Sequence, residues 1–327
     1  MRYAAVVMGI VLVGLTHLLG CSVNPVSGEN QLALMSEGEE VNAGQQAHRD
    51  VLAQNPPYRD AALQAYVNRI GQTMAAQSHR NHLPYTFTVL DDPAVNAFAL
   101  PGGYIYITSG LLAYLNSEAE LAGVLAHEIG HVAARHNVSQ ASWGAVGEIA
   151  TKILSEKLGN PELISTLGEL GLRQYGRDQE LQADGLAAEY LARAGYDPAY
   201  MVNVIATLQA YDQFTGGGSE PYRDLLSTHP SNDQRLQQLI AQARQYGGGR
   251  RDPGHETFLR QIEGLRLPLG NGQTVQVRLL TARPGDNFER LAQSSRLRNN
   301  AAMHLRVLNG LFPNGEPRPG QLLKTIQ

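Results

Sequence analysis

The chain has 327 residues, of which 43% are hydrophobic and 17% are charged, and 26 basic against 30 acidic side chains give a net charge of -4. This composition is typical of globular proteins and excludes collagen-like and disordered chains. The acidic balance, with no Lys/Arg-rich run, argues against a nucleic-acid binder, which needs basic residues to neutralise phosphates. Because the chain has a single cysteine, a disulfide framework is excluded, and any metal must be bound by histidine and carboxylate.

The N-terminus has the features of a bacterial lipoprotein signal peptide. A short positive start is followed by an apolar stretch of about 16 residues, from about Ala4 to Leu19, shorter than the roughly 20 residues that a membrane-spanning helix needs. The Leu-Leu-Gly-Cys ending resembles the lipobox, in which the cysteine is acylated and becomes the first mature residue. We therefore predict a signal peptide over residues 1–20 and a lipid anchor on Cys21, the alternative being a signal anchor with an incidental cysteine.

The residue after the predicted lipid anchor bears on which membrane of the cell envelope holds the protein. By resemblance to Gram-negative lipoproteins, an aspartate at this position would favour retention in the inner membrane, and the chain has Ser22 instead. We therefore expect a periplasmic protein anchored to the inner leaflet of the outer membrane.

The next segments alternate between helical and extended patterns. Residues 21–35 are polar with proline and glycine, which predicts a tether. Ser36 and Glu39 form an S-x-x-E capping box that opens a helix to about Ala53. A second amphipathic helix is predicted over residues 60–77, and two β-rich runs, 85–90 and 104–108, predict a small sheet.

The strongest helix prediction begins at Ser117, which forms another capping box with Glu120, and extends to about Arg135. Further helices are predicted over residues 144–158, 161–172, 178–194 and 198–211 and after a cap at Ser231. The sequence therefore predicts an α+β fold, mostly helical, with a small β-sheet.

The C-terminal part changes in composition after the Gly-rich residues 247–254, which we interpret as a linker. It separates a domain over residues 36–246 from a smaller one over residues 255–327. The smaller domain reads as strand, two helices and strand, which resembles a LysM-type βααβ module. That family often binds glycans containing N-acetylglucosamine, and the alternative is an unrelated C-terminal cap.

An H-E-x-x-H motif lies on the helix that begins at Ser117. His127 and His131 are one turn apart on the same face, so both imidazoles can bind one cation. Glu128 is offset by one residue and is placed to act on a water molecule. Zinc with two histidines and one carboxylate keeps its fourth position open, as in catalytic sites, while the alternative is a solvated helix face.

The candidate for the third ligand is Glu180, on a separate predicted helix, where it shares one face with Asp184. Asp184 would orient a ligand histidine or assist proton transfer, and the alternative is an acidic surface pair. His229, just before a helix cap, is the remaining histidine of interest. The others are interpreted as surface or local packing residues: His48, His79, His82, His136, His255 and His304.

Four motifs in this order carry a family resemblance: Asn96 to Tyr106, Glu120 to His131, Glu180 to Asp184 and Thr228 to Pro230. Together they resemble the gluzincin zinc metalloproteases that include HtpX, BepA and LoiP. The resemblance implies one zinc ion on His127, His131 and Glu180, with Glu128 as general base. It also implies a proton-donor or orienting role for Asp184 and places His229 near the metal, to stabilise the oxyanion or to occupy the open position in a latent state.

The resemblance also implies a function. We expect a zinc metalloendopeptidase that degrades misfolded or stalled envelope proteins, with possible contacts to the outer-membrane assembly machinery and to peptidoglycan. The tail lacks the 34-residue helical repeat of BepA, so partners bound through that repeat are not expected. The alternative function is a lipoprotein chaperone or a peptidoglycan-associated binding protein with a latent zinc site.

Overall fold

The computed structural model describes residues 21–142, 144–145, 176–215, 229, 233–249, 253–269, 273–297 and 300–327. The α-helices that lie wholly within these ranges are α1 (Glu37–Gln54), α2 (Ala61–Ala75), α3 (Ser109–Tyr114), α4 (Glu118–Ala133), α5 (Arg177–Arg193), α6 (Ala199–Thr215), α7 (Asp233–Tyr246), α8 (His255–Ile262), α9 (Phe288–Ala292) and α10 (Ala301–Leu308). Residues 136–142 are helical as well. The predicted α+β, mostly helical fold class is confirmed.

The strands form three small sheets. They are β1 (Cys21–Val23), β2 (Asn30–Leu32), β3 (Thr86–Leu90), β4 (Ala97–Leu100), β5 (Tyr104–Thr108), β6 (Arg266–Leu269), β7 (Gln273–Thr281) and β8 (Leu322–Ile326). The central sheet has the order β3-β5-β4, with β5 parallel to β3 and antiparallel to β4. In the C-terminal sheet, β7 pairs antiparallel with both β6 and β8.

Two of these features differ from the sequence prediction. The segment predicted as a tether contains the antiparallel β1-β2 hairpin, whose turn is closed by the Asn24 side chain accepting from the backbone N–H of Val26. The same side chain donates to the carbonyl of Ala134, after the end of α4. The second difference is β4, which has four residues and a Pro-Gly-Gly exit and so was not predicted as a strand.

Helix α4 is buried along almost its entire length, from Ala119 to Ala133. Ser117 caps its N-terminus by accepting from Glu120 N–H at 3.1 Å, but the Glu120 carboxylate accepts from Asn116 N–H at 2.6 Å, so the predicted capping box is only half formed. At the other end, Arg80 donates to the carbonyl of Val132 at 2.9 Å. Both ends of the helix are therefore fixed by hydrogen bonds.

Helix α5 packs directly on α4 because glycine occupies the crossing point. A Cβ built on Gly130 would lie 3.1 Å from the carbonyl oxygen of Ala183, tighter than most contacts in proteins. The small residue within the H-E-x-x-H motif therefore lets the backbone of α5 approach. This approach sets Glu180 and Asp184 beside the histidines of α4.

The C-terminal part is hydrogen-bonded to the larger domain. Lys324 on β8 is buried, and its Nζ donates to the carbonyls of Ala113 and Leu115 at 2.6 and 2.7 Å. Val277 and Phe288 belong to the same apolar core as the residues of α4. The observed order β7-α9-α10-β8 is strand, helix, helix, strand, while the resemblance to LysM and the domain boundaries stay predictions.

Several predicted features lie outside the described residues. These are the signal peptide over residues 1–20, most of the helix over residues 144–158, the helix over residues 161–172, the cap at Ser231 and part of the predicted linker. Within the ranges that the structure does describe, no helix combines the length and apolar character needed to cross a bilayer.

Candidate metal centre

Four side chains with metal-binding atoms meet where α4 and α5 cross. His127 and His131 come from α4, Glu180 from α5 and His229 from the segment before α7, and all four are buried. One ligand atom from each lies within 4.8 Å of the others. The structure thus brings together the three predicted zinc ligands and the predicted neighbouring histidine.

The distances between these atoms match the spacing of ligands around one zinc ion. Tetrahedral zinc with bonds of about 2.0–2.1 Å places its ligand atoms about 3.3 Å apart. In the structure, Nε2 of His131 lies 3.1 Å from Nε2 of His127 and 3.4 Å from Oε1 of Glu180. Nδ1 of His229 lies 3.3 Å from Nε2 of His127 and 2.8 Å from the Glu180 carboxylate.

Asp184 contacts His127 on the side of the ring that faces away from the cluster. Its Oδ1 lies 3.0 Å from Nδ1 of His127, which leaves the Nε2 atom to face the other ligands. Arg235 on α7 fixes this carboxylate with two hydrogen bonds of 2.8 Å and contacts Oε2 of Glu180 at 2.7 Å. Of the two roles that the sequence left open for Asp184, this geometry favours orientation of a ligand histidine.

The charges of the site favour a divalent cation. Glu128, Glu180 and Asp184 are all buried, and Arg235 is the guanidinium paired with the last two. With neutral histidines, three carboxylates and one guanidinium leave two negative charges in a region shielded from water. A divalent ion neutralises them, so the donor set and its charge both fit zinc.

The pKa values reflect the same electrostatics. Burial opposes a positive charge on His127, but Asp184 and Glu180 outweigh it and raise its pKa to about 10, so a metal that binds this ring displaces its proton. Burial also opposes ionisation of Glu180, yet hydrogen bonds from the three surrounding imidazoles hold its pKa far below the ordinary value. For His131, burial lowers the pKa well below its ordinary value, which keeps the ring neutral and able to bind a metal.

Glu128 is 1% exposed and lies beside the cluster. Burial raises the pKa of its carboxyl, a direction that makes the carboxylate a better proton acceptor. In the described part of the chain, its Oε2 has no hydrogen-bond partner, while Oε1 lies 3.7 Å from Nε2 of His229. The carboxylate is thus placed to address a water molecule at the cluster.

Sequence reasoning missed residues that contact the site through space. Arg235 was not singled out, because no local spacing links it to Asp184, 51 residues earlier. His136 was interpreted as a surface or local packing residue, but it is 2% exposed, and its Nδ1 lies 2.9 Å from Nδ1 of His131. Gln182 contacts the same ring at 2.9 Å. Thr228 and Pro230, which flank His229, lie outside the described residues.

Comparisons with known proteins agree with this geometry. The model of peptidase family M48 matches residues 61–243, more than half of the chain. A beta-barrel assembly-enhancing protease of Yersinia pestis is 31% identical over 68% of this chain and 47% of its own length. The Escherichia coli K12 protein of that name is 30% identical over 65% and 45% of the two chains, and the mitochondrial metalloendopeptidase OMA1 of Arabidopsis thaliana is 35% identical over 56% and 36%. The chain spans less than half of each of these relatives.

Proposed function

The chain belongs to peptidase family M48, and from that premise we propose that it is a zinc-dependent endopeptidase whose centre is the cluster at the crossing of α4 and α5. The observation that carries the proposal is the buried set of His127, His131 and Glu180, whose donor atoms lie at zinc-ligand spacing. Beside it, Glu128 supplies a carboxylate of raised pKa.

In this proposal His127, His131 and Glu180 hold the zinc. When bound, zinc supplies Lewis-acid polarisation of the scissile carbonyl and of the attacking water. Glu128 accepts a proton from that water as its oxygen bonds to the carbonyl carbon. The same carboxyl then gives the proton to the leaving amine nitrogen as the C–N bond breaks, which returns Glu128 to its ionised form.

Asp184 and Arg235 act on the ligands and not on the substrate. The two hydrogen bonds from Arg235 keep the Asp184 carboxylate ionised, because they offset its burial and hold its pKa below the ordinary value. The ionised carboxylate, 3.0 Å from Nδ1 of His127, in turn favours the tautomer with its hydrogen on Nδ1, which leaves Nε2 as the metal-binding atom.

For location and substrate, we propose a periplasmic protein that is anchored through Cys21 to the inner leaflet of the outer membrane. The lipobox-like ending supports this location. The relatives named beta-barrel assembly-enhancing protease support misfolded or stalled envelope proteins as substrates, β-barrel precursors among them, and a link to the outer-membrane assembly machinery. Contact of the C-terminal module with peptidoglycan is a further part of the proposal and rests on the LysM-like element order.

The function is tested by incubating the mature chain with an unfolded outer-membrane β-barrel protein. We expect the wild-type chain or the His229→Ala variant to cleave this substrate. Adding Glu128→Gln to the chain that cleaves should lower the cleavage rate by about 10²–10⁴-fold. Zinc content is measured on each sample, and about one zinc per chain is expected in all of them.

The matched control is Glu256→Gln, which alters an exposed carboxylate of α8 and should leave cleavage unchanged. If Glu128→Gln cleaves at the rate of its parent, or if cleavage persists in chelator, the proposed mechanism is wrong. If all samples hold zinc and none cleaves, the chaperone or binding function is favoured instead.

A further inference from the structure

The backbone after α4 makes a turn that a continuous helix would not make. Helix α4 ends at Ala133, Arg135 has the left-handed φ of 58°, and residues 136–142 are again helical. In an uninterrupted helix, His136 would lie about 140° around the axis from His131, on a different face. The turn instead brings the two imidazoles together, with 2.9 Å between their Nδ1 atoms.

The left-handed conformation of Arg135 is held from several directions. Its Nε donates to the Glu40 carboxylate at 3.0 Å, and its Nη2 donates to the carbonyl of Met35 at 2.6 Å. Glu40 is itself buried and accepts from Arg80. A non-glycine residue keeps a left-handed conformation only where its surroundings fix it, and such residues cluster at functional sites. The position of His136 is thus built into the fold.

A chain of hydrogen bonds then assigns the protons. Oε1 of Gln182 is an acceptor, so Nε2 of His136, 2.9 Å away, is the donor. A neutral imidazole has one N–H, and His136 is 2% exposed, where a charged ring would be costly. Nδ1 of His136 is therefore the acceptor, and Nδ1 of His131 must carry the hydrogen that it accepts. This leaves a lone pair on Nε2 of His131, the atom that faces the cluster.

We propose that His136, itself oriented by Gln182, is a positioning residue that fixes the Nδ1–H tautomer of His131 and so directs its Nε2 to the metal. The inference rests on the proposed zinc site. It gives each ligand histidine of α4 its own orienting group: the Asp184 carboxylate for His127 and the His136 ring for His131. The opposite tautomer of His131 would place an N–H on the ligand atom and prevent binding.

Two substitutions of His136 distinguish a role as hydrogen-bond acceptor from a role in packing alone. In His136→Asn, the side-chain oxygen replaces the accepting Nδ1, whereas His136→Leu fills similar space without any acceptor. The affinity of the mature chain for zinc is measured by competition with a chromophoric chelator. We expect His136→Leu to bind zinc about 10–100-fold more weakly and His136→Asn to keep most of the wild-type affinity. His82→Asn, at an exposed histidine, is the matched control.

Two further readouts exclude a general loss of structure. Melting temperatures in chelator should agree between His136→Asn and wild type. ¹H–¹⁵N correlation of the imidazole nitrogens should show His131 protonated at Nδ1 in wild type and in His136→Asn, and a mixture of tautomers in His136→Leu. Gln182→Met, which removes the acceptor that orients His136, should weaken zinc binding in the same direction.

The outcomes distinguish this inference from the proposed function. Equal zinc affinity of wild type and His136→Leu, or an equal loss in the Leu and Asn variants, overturns the tautomer role while leaving the zinc site standing. Absence of zinc from wild type itself overturns the proposed function, and the inference with it.

Discussion

At the scale of single residues, the position of His229 bears on access to the candidate centre. Its Nδ1 lies within the ligand set, 2.8 Å from the Glu180 carboxylate, and its Nε2 lies 3.7 Å from Glu128. The His229 side chain therefore occupies the space beside both Glu180 and Glu128. Of the two roles that the family resemblance implied, this placement favours a latent state in which His229 takes the open metal position over stabilisation of an oxyanion.

We predict that His229→Ala raises basal proteolysis several-fold, because the substitution frees a ligand position for water and uncovers Glu128. The measurement is the initial rate of cleavage of an unfolded protein by wild type and variant at equal zinc content. An unchanged or lower rate in the variant would show that His229 does not restrain the site.

The sequence predicted some site residues and missed others for a physical reason. His127, His131 and the pair Glu180 and Asp184 follow helical spacing, so their shared faces are visible in the sequence itself. His136 and Arg235 follow no such spacing. His136 reaches His131 only through the left-handed Arg135, and Arg235 approaches from α7, so both contacts depend on backbone geometry that a local pattern does not contain.

At the scale of helices and strands, prediction worked where a side chain marks the boundary. Ser36 caps α1 with the full capping box, and Asp60 caps α2 through its side chain, so both helices begin where the sequence placed them. Strand β4 and the β1-β2 hairpin have no comparable boundary residue, because they are short and their pairing depends on the turns that join them to their partners. Tertiary contacts decide such short elements.

Helix α10 contacts Tyr114 of α3 through His304, a histidine that burial keeps neutral. Nε2 of His304 lies 2.8 Å from the Tyr114 hydroxyl, and the two rings stack. Burial lowers the pKa of His304 to about 4, below its ordinary value of 6.5. Because the unfolded chain then binds a proton more readily than the folded one, this histidine contributes stability above pH 6.5 that is lost as the pH falls toward 4.

We predict that His304→Gln, which keeps an acceptor for Tyr114 but cannot be protonated, makes the melting temperature less sensitive to acid. Melting curves of both proteins are recorded in chelator between pH 7.5 and 4.5, so that metal release does not contribute. The melting temperature of the variant relative to that of wild type should rise as the pH falls below about 6.5. A difference that is the same at every pH would contradict the assignment.

At the scale of the whole molecule, segments from both ends of the described chain hold α4 in place. The β1-β2 hairpin contacts the carbonyl of Ala134 through Asn24, and the backbone N–H of Ala119 donates to the carbonyl of Pro253 at 3.0 Å. Lys324 of β8 is buried against the segment that precedes α4. The helix with both histidines is thus fixed at its two ends by segments distant in sequence.

The most direct test of the metal centre is the position of the metal itself. Crystals of the mature chain grown with zinc are measured on both sides of the zinc absorption edge, and an anomalous difference map is calculated. We predict one strong peak per chain among Nε2 of His127, Nε2 of His131 and the Glu180 carboxylate, with His229 as a neighbour. A zinc-replete crystal with no peak at this position, or with its peak elsewhere, would contradict the account.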